Sequence, residues 1–163
     1  LGPDTFEGVY DGVIRPVAAA LGDVPAGESL VSRMQSTVSD ADAKAASISR
    51  KPSVYYVVGF GEGGDWTAGG DTFIGQMIDV AGGDNIAADV SGWSYSLEKL
   101  VEADPQKIII GEALVDAFLG TPKYAELTAV IEGNVYGVNE DIINRQGPRL
   151  IEGIEQLNAA FAK

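Results

Sequence analysis

The sequence predicts an α/β fold: helices on both faces of a mainly parallel sheet, preceded by one long helix. Three observations predict it. Short apolar runs at Val54 to Phe60, Lys107 to Gly111 and Val135 to Val138 alternate with segments of helical periodicity. The first two runs are continuous rather than alternating, the mark of strands buried on both faces. Before Ser53 only helical spacing is found, so the sheet is confined to the later part of the chain.

The elements follow in order. Phe6, Val9, Tyr10, Val13, Ile14 and Val17 repeat at helical spacing; Thr5 can cap that helix, Gly22 can close it, and Pro16 is awkward inside it. From Glu28 to Arg50, Leu30, Met34, Val38, Ala41, Ala45 and Ile48 fall on one face, with Ser, Asp, Lys and Gln opposite. This predicts one amphipathic helix of about six turns. Its narrow, Ala-rich stripe suits a helix lying across a surface. Pro52 forces an extended start to the first strand.

Beyond that strand, Thr72 to Ala81 reads as a helix ended by Gly82 and Gly83. Asn85 to Ala87 reads as a short strand, and Ser96 caps a helix to Ala103 that Asp104-Pro105 breaks. After the second strand comes a helix over Tyr124 to Ile131, a Gly133-Asn134 turn and the third strand. Pro148 opens a final helix with Leu150, Ile151, Ile154, Leu157, Ala160 and Phe161 on its core stripe. The result is a three-layer, Rossmann-like lobe. The boundary falls between residues 1–50 and 51–163.

Composition narrows the function. The chain has 163 residues, 45% apolar and 21% charged, enough for a real core. A net charge of −13 argues against nucleic acid and anionic lipid as partners. Cys and His are both absent, which removes thiolate nucleophiles, Cys/His zinc sites and His-based triads. No run of about 18 apolar residues predicts a membrane span. Leu1 to Thr5 has neither a basic start nor an apolar core, so no export signal is expected in these residues.

"YYVVGFGEGGDW" places Gly59, Gly61 and Gly64 in G-x-G-x-x-G spacing after a strand, the pattern of a dinucleotide-binding turn. In such a turn the third glycine opens a helix aimed at the pyrophosphate. Here Gly64 is followed by Asp65-Trp66-Thr67-Ala68-Gly69-Gly70, and no acidic residue closes a second strand about 20 residues on. The preferred reading is a wide, mobile loop at the carboxyl end of a central strand, where ligands bind in open α/β sheets. A nucleotide- or NAD-dependent enzyme is the rival, and it requires Gly64 at a helix N-terminus. A sensor or interaction domain that keeps the fold without a ligand is a third reading.

Aromatic and charged residues gather at the same edge. Trp66 follows the first strand, with Glu62 beside it, and Trp93 and Tyr95 precede a helix in "DVSGWSYS". Each Trp serves equally well as a lid over core. "NEDIINRQGPR" follows the third strand and carries Asp141, Asn144, Arg145 and Arg149; a salt-bridge role is favoured for Arg149.

Four segments together, "AGGDNIAAD", "SLEKLVEADPQKIIIG", "IEGNVYGVN" and "GPRLIEGIEQL", resemble the substrate-binding proteins of ABC importers for ferric siderophores, haem and cobalamin. Order and spacing agree from about Lys51 to Phe161; Gln106 stands where the family usually has Asp. The resemblance implies a non-enzymatic binding protein of two α/β lobes joined by a connecting helix, the ligand held between them. Residues 28–50 resemble that helix, Ser53 onward the second lobe, and Thr5 to Leu21 the end of the first lobe or its exit segment. It further implies an extracytoplasmic setting, ABC permease subunits as partners, and a metal chelate or corrinoid as ligand, with no resident cofactor or metal.

By the same resemblance Trp93, Asp141 and Arg145 are cleft residues, while Glu98 is the exposed acid that docks on a permease arginine. Read from composition alone, Glu98 is a capping-box residue opposite Ser96 or a solvated charge. Without the first lobe, exposed apolar surface on the connecting helix and self-association are expected. Haem often takes an axial His or Tyr, which leaves Tyr95 or Tyr136 if either faces the cleft. Asp141 with Arg145 tilts the choice toward a corrinoid.

Overall fold

The structure is a computed structural model that describes residues 5–162. Helix α1 (Phe6–Val9) is capped by the Thr5 hydroxyl, which accepts from the Gly8 N–H at 3.0 Å. It continues through a π-helical turn, Tyr10–Ile14, into α2 (Arg15–Ala20). Pro16 explains that turn. A proline lacks an N–H and its ring collides with the carbonyl four residues back, and the wider turn relieves both. The helix thus passes through Pro16 instead of stopping there.

Helix α3 spans Val24–Ala46, about a turn earlier at each end than the periodicity alone predicts. Asp23 sets the start: its carboxylate accepts from the Ala26 N–H at 3.1 Å, and Pro25 sits in the first turn, where a missing N–H costs nothing. The stripe buries Gly27, Val31, Met34, Ala41 and Ala45 and half-buries Leu30 and Val38; Ile48 lies beyond the helix and is exposed. Gly27 lets α2 come close, since a Cβ there would stand 2.4 Å from the Ala18 Cβ. Arg15 closes the helix pair with two bonds to the Glu28 carboxylate, at 2.8 and 3.0 Å.

The main sheet is fully parallel, in the order β3–β1–β5–β6: β1 is Ser53–Val57, β3 Asp84–Asn85, β5 Lys107–Gly111 and β6 Val135–Val138. Side chains alternate across it. Val54, Tyr56 and Ile109 enter one core with Phe6, Met34, Met77, Leu157 and Phe161. Tyr55, Val57, Ile108 and Ile110 enter a second core with Leu100, Phe118, Tyr124 and Leu127. Helices therefore cover both faces, giving the three layers. On one side lie α1 to α3, α4 (Phe73–Val80) and α9 (Leu150–Phe161). On the other lie α5 (Leu97–Ala103), α6 (Val115–Leu119) and α7 (Thr128–Ile131). A separate antiparallel ribbon pairs β2 (Asp65–Trp66) with β4 (Ser94–Tyr95).

Several local expectations change. The run predicted as one helix over Tyr124 to Ile131 is a 3₁₀ turn, Pro122–Tyr124, followed by the short α7. Asp104 directs this: in the left-handed region (φ +37°) it ends α5, and its carboxylate accepts from the Thr128 N–H at 2.8 Å and the Thr128 hydroxyl at 2.5 Å. Gln106 and Ser53 exchange two bonds, at 3.0 and 3.2 Å, pinning the starts of β5 and β1 together. Helix α6 and the single turn α8 (Glu140–Ile143) carry no usable periodicity at five and four residues.

Candidate functional site

The carboxyl ends of β1, β5 and β6 open on one edge. From β1 the chain leaves at Val58 and returns at Trp66 in a tight hairpin instead of a wide loop. The Val58 N–H donates to the Trp66 carbonyl at 2.9 Å, and the Trp66 N–H to the Gly59 carbonyl at 2.9 Å. Gly61 and Gly64 take φ of +121° and +125°, which side chains rarely adopt. The Trp66 indole lies over the glycines: a Cβ on Gly59 or Gly64 would stand 3.2 and 3.4 Å from its ring. No helix starts at Gly64; the next begins at Phe73, capped by the Thr72 hydroxyl at 3.0 Å from the Gly75 N–H. The nucleotide reading fails on its own requirement.

After the ribbon, Gly69 and Gly70 run against the segment 87–92. The Gly69 N–H donates to the Gly92 carbonyl at 2.9 Å, and a Cβ on either glycine would lie 2.2 or 2.1 Å from the Val90 or Ala88 carbonyl oxygen. Asp71 fastens that segment from outside. Its carboxylate accepts from the Ser91 hydroxyl at 2.6 Å and the Gly92 N–H at 2.8 Å, and these bonds, Ser91 first, hold its pKa below the usual carboxylate value. Trp93 follows directly, its carbonyl bonded to the Thr67 N–H at 2.8 Å.

Trp66 lies in the ribbon and Trp93 immediately precedes its second strand, 38% and 46% exposed. Tyr95 does not join them. It is 8% exposed, its ring packs on Tyr55 at 5.7 Å, and its hydroxyl donates to the Ile86 carbonyl at 3.2 Å. Tyr136 is also turned inward: it sits mid-strand opposite Ile109, with its hydroxyl donating to Asn134 at 3.0 Å and the Lys107 ammonium over its ring. Neither phenol reaches the open edge.

At the β6 end, Asp141 and Arg145 lie in and just after α8 and pair at 2.8 Å, both largely exposed. They line a depression with Gly147, Pro148 and Arg149. The Tyr56 hydroxyl, on one face of the sheet, donates to the Asn144 side chain at 3.3 Å. Arg149 pairs with Glu152 at 2.9 Å, the salt-bridge role expected of it. Glu112 from the end of β5 lies between the two clusters, and β6 is two strands from β1, about 10 Å across the sheet.

Glu98 is exposed in the first turn of α5, three residues beyond Tyr95 of β4. It is the second helical residue; Lys99 is the third, and its N–H donates to the Ser96 hydroxyl at 3.3 Å. The capping-box reading is therefore corrected, and the carboxylate is left free to complement the helix dipole.

Sequence reasoning missed the polar group behind Trp66. Asp65 is buried and accepts from the Tyr124 hydroxyl in a short bond and from the Lys123 ammonium at 3.1 Å. Lys123 also donates to the Gly61 carbonyl at 3.0 Å. Hydrogen bonding, to Tyr124 first and Asp65 next, holds the ammonium pKa above its ordinary value. These residues are 58 positions or more apart, beyond any local pattern.

A parallel three-layer lobe with its polar and aromatic residues gathered on the carboxyl edge is a ligand-binding architecture. The sequence profile of the periplasmic binding protein family matches residues 3–142, and the chain belongs to that family. Over 156 residues it is 33% identical to the ABC transporter substrate-binding lipoprotein YvrC of Bacillus subtilis, covering 94% of this chain and 49% of that protein. Over 166 residues it is 35% identical to the cobalamin-binding protein of Halobacterium salinarum, covering 93% of this chain and 44% of that one. The chain thus spans about half the length of the curated relatives it matches.

Among solved structures it resembles the periplasmic heme-binding protein RhuT of Roseiflexus sp. RS-1 (TM-score 0.85, 27% identity, 98% of this chain and 64% of that one). The vitamin B12-binding protein BtuF of Vibrio cholerae shares the fold at TM-score 0.79 and 22% identity, over 98% of this chain and 62% of that one. Among the described residues no helix is long and apolar enough to cross a membrane.

Proposed function

We propose that this chain is the second lobe and connecting helix of a substrate-binding protein of an ABC importer. It forms one wall of a cleft that captures a metal chelate or corrinoid outside the cytoplasmic membrane and delivers it to the permease. The observation that carries this reading is the pair of half-exposed indoles in and beside the ribbon at the carboxyl edge, with Asp141 and Arg145 two strands away on the same edge. Flat aromatic faces suit a broad, weakly charged ligand, and an exposed acid–base pair suits its amide or hydroxyl periphery. Corrinoid is the preferred class. The chain has no His, and Tyr95 and Tyr136 are engaged inside the lobe, so this wall offers no axial ligand for haem. The cobalamin-binding relative supports the same choice.

Delivery falls to Glu98. An exposed carboxylate on a rigid helix start fits an arginine on a permease subunit and sets orientation more than affinity. Apolar side chains of α2 and α3, Val17, Leu21 and Val24 among them, stand exposed beside a groove that Leu30 and Pro148 help to line. The preceding lobe, or self-association in its absence, would cover them.

The test is a titration of the two-lobed polypeptide with cyanocobalamin, haemin and a ferric hydroxamate, read by tryptophan quenching. Saturable quenching by cyanocobalamin alone is expected. Equal, weak quenching by all three would refute the cleft assignment, and selective binding of haemin would transfer the reading to the haem class.

A further inference from the structure

The hairpin that carries Trp66 is anchored at its base, by backbone bonds of Val58 and Gly59 to Trp66 and by Phe60 packing on Phe118 and Tyr124. Glu62 and Gly63 at its tip are exposed, and Gly61 and Gly64 bring conformational freedom rather than stiffness. Trp66 nevertheless rests on this segment, its ring in contact with Gly59, Gly63 and Gly64. One side chain from elsewhere in the fold spans the hairpin. Lys123, from the 3₁₀ turn after α6, donates to the Gly61 carbonyl at one end (3.0 Å) and to the Asp65 carboxylate at the other (3.1 Å). Its ammonium also lies 4.8 Å from the centre of the Tyr124 ring, and Tyr124 bonds the same carboxylate. Asp65 is 5% exposed at its side chain and Lys123 29%, so solvent screens the pair only partly.

We propose that Lys123 is a positioning residue: by holding Gly61 and Asp65 together it fixes the glycine bed under Trp66, so the aromatic wall is set before a ligand arrives. This deepens the reading given above and rests on it, because it assumes that Trp66 meets the ligand. A fixed wall avoids the cost of ordering a flexible loop on binding.

The experiment isolates Trp66 by Trp93→Phe, leaving one indole in the chain. Acrylamide quenching and anisotropy decay are then measured without ligand for the parent, Lys123→Met and Lys123→Arg. With Lys123→Met the quenching constant should rise about twofold and a fast anisotropy component should appear, while far-UV circular dichroism stays constant; Lys123→Arg should restore the parent behaviour. A purely structural contact would lower the melting midpoint without loosening the indole below it. Unchanged quenching and anisotropy in folded Lys123→Met overturns the proposal. If that variant does not fold, Asp65→Asn, which keeps a partner for Tyr124, replaces it: a loosened indole supports the tether, and parent-like quenching and anisotropy overturn it.

In the two-lobed polypeptide with both tryptophans, Lys123→Met should weaken cyanocobalamin binding about two- to tenfold, the range expected for ordering one side chain. A loosened indole with unchanged cyanocobalamin affinity supports the tether and contradicts the placement of ligand at Trp66.

Discussion

At the β1 end of the carboxyl edge, Trp66 lies on a glycine hairpin stapled from behind by Asp65, Lys123 and Tyr124, and Trp93 follows a segment tied down by Asp71. At the β6 end, Asp141 and Arg145 pair with each other one helical turn apart, both largely exposed to solvent. One end places rigid surface at the cost of buried polar bonds and close backbone contacts. The other offers charges that can turn to meet a ligand. Substitutions should therefore separate: at the first end they disturb the fold, at the second they spare it.

The largest effect is expected where backbone meets backbone. Gly70→Ala pushes a methyl to 2.1 Å from the Ala88 carbonyl oxygen, and no flexible group can yield. A loss of about 2–3 kcal/mol in chemical denaturation is predicted. Gly111→Ala is the control: the nearest atoms to the added methyl belong to the Glu140 side chain, which can swing aside, so its cost should be smaller. Asp65→Ala comes next. It strips Tyr124 and Lys123 of their partner, and about 1.5–3 kcal/mol should be lost, the worth of hydrogen bonds to a charged group.

Acid should expose the Asp71 tether. Its folded pKa is depressed, so its contribution is complete above the unfolded value, near 4, and is lost as pH falls through the folded value. Asp71→Asn should flatten that acid limb in urea midpoints taken between about pH 5 and 2. An unchanged pH dependence would assign the acid limb to other carboxylates. Smallest of all, Arg145→Ala should change stability by less than about 0.5 kcal/mol, as surface i,i+4 pairs do, while weakening ligand binding.

The same contrast explains what could be read from sequence. Strands β1, β5 and β6 were legible because each is an apolar run bounded by breakers, and α5 because Ser96 and Asp104 mark both ends. Asp141 and Arg145 were named as cleft residues by resemblance alone, and their pairing across one helical turn appears only in the structure. Asp23 and Pro25 mark the true start of α3, ahead of the apolar stripe from which the helix was read. The short α6 and α8 gave no period to find. The inward turn of Tyr95 depends on Tyr55 and Ile86, and the staple behind Trp66 depends on Lys123 and Tyr124; both are contacts made only by the finished fold.

If the carboxyl edge is the ligand face, side chains from both of its ends must contribute to affinity. The deciding quantity is the cyanocobalamin affinity of the two-lobed polypeptide carrying Trp66→Ala, Arg145→Ala or Arg149→Ala. The first two should each weaken binding by about tenfold, the scale of one lost aromatic or charged contact. Arg149→Ala should weaken binding less than Arg145→Ala, because Arg149 lines the same depression but is held by Glu152. Parent-like affinity in both Trp66→Ala and Arg145→Ala would contradict a ligand face at this edge.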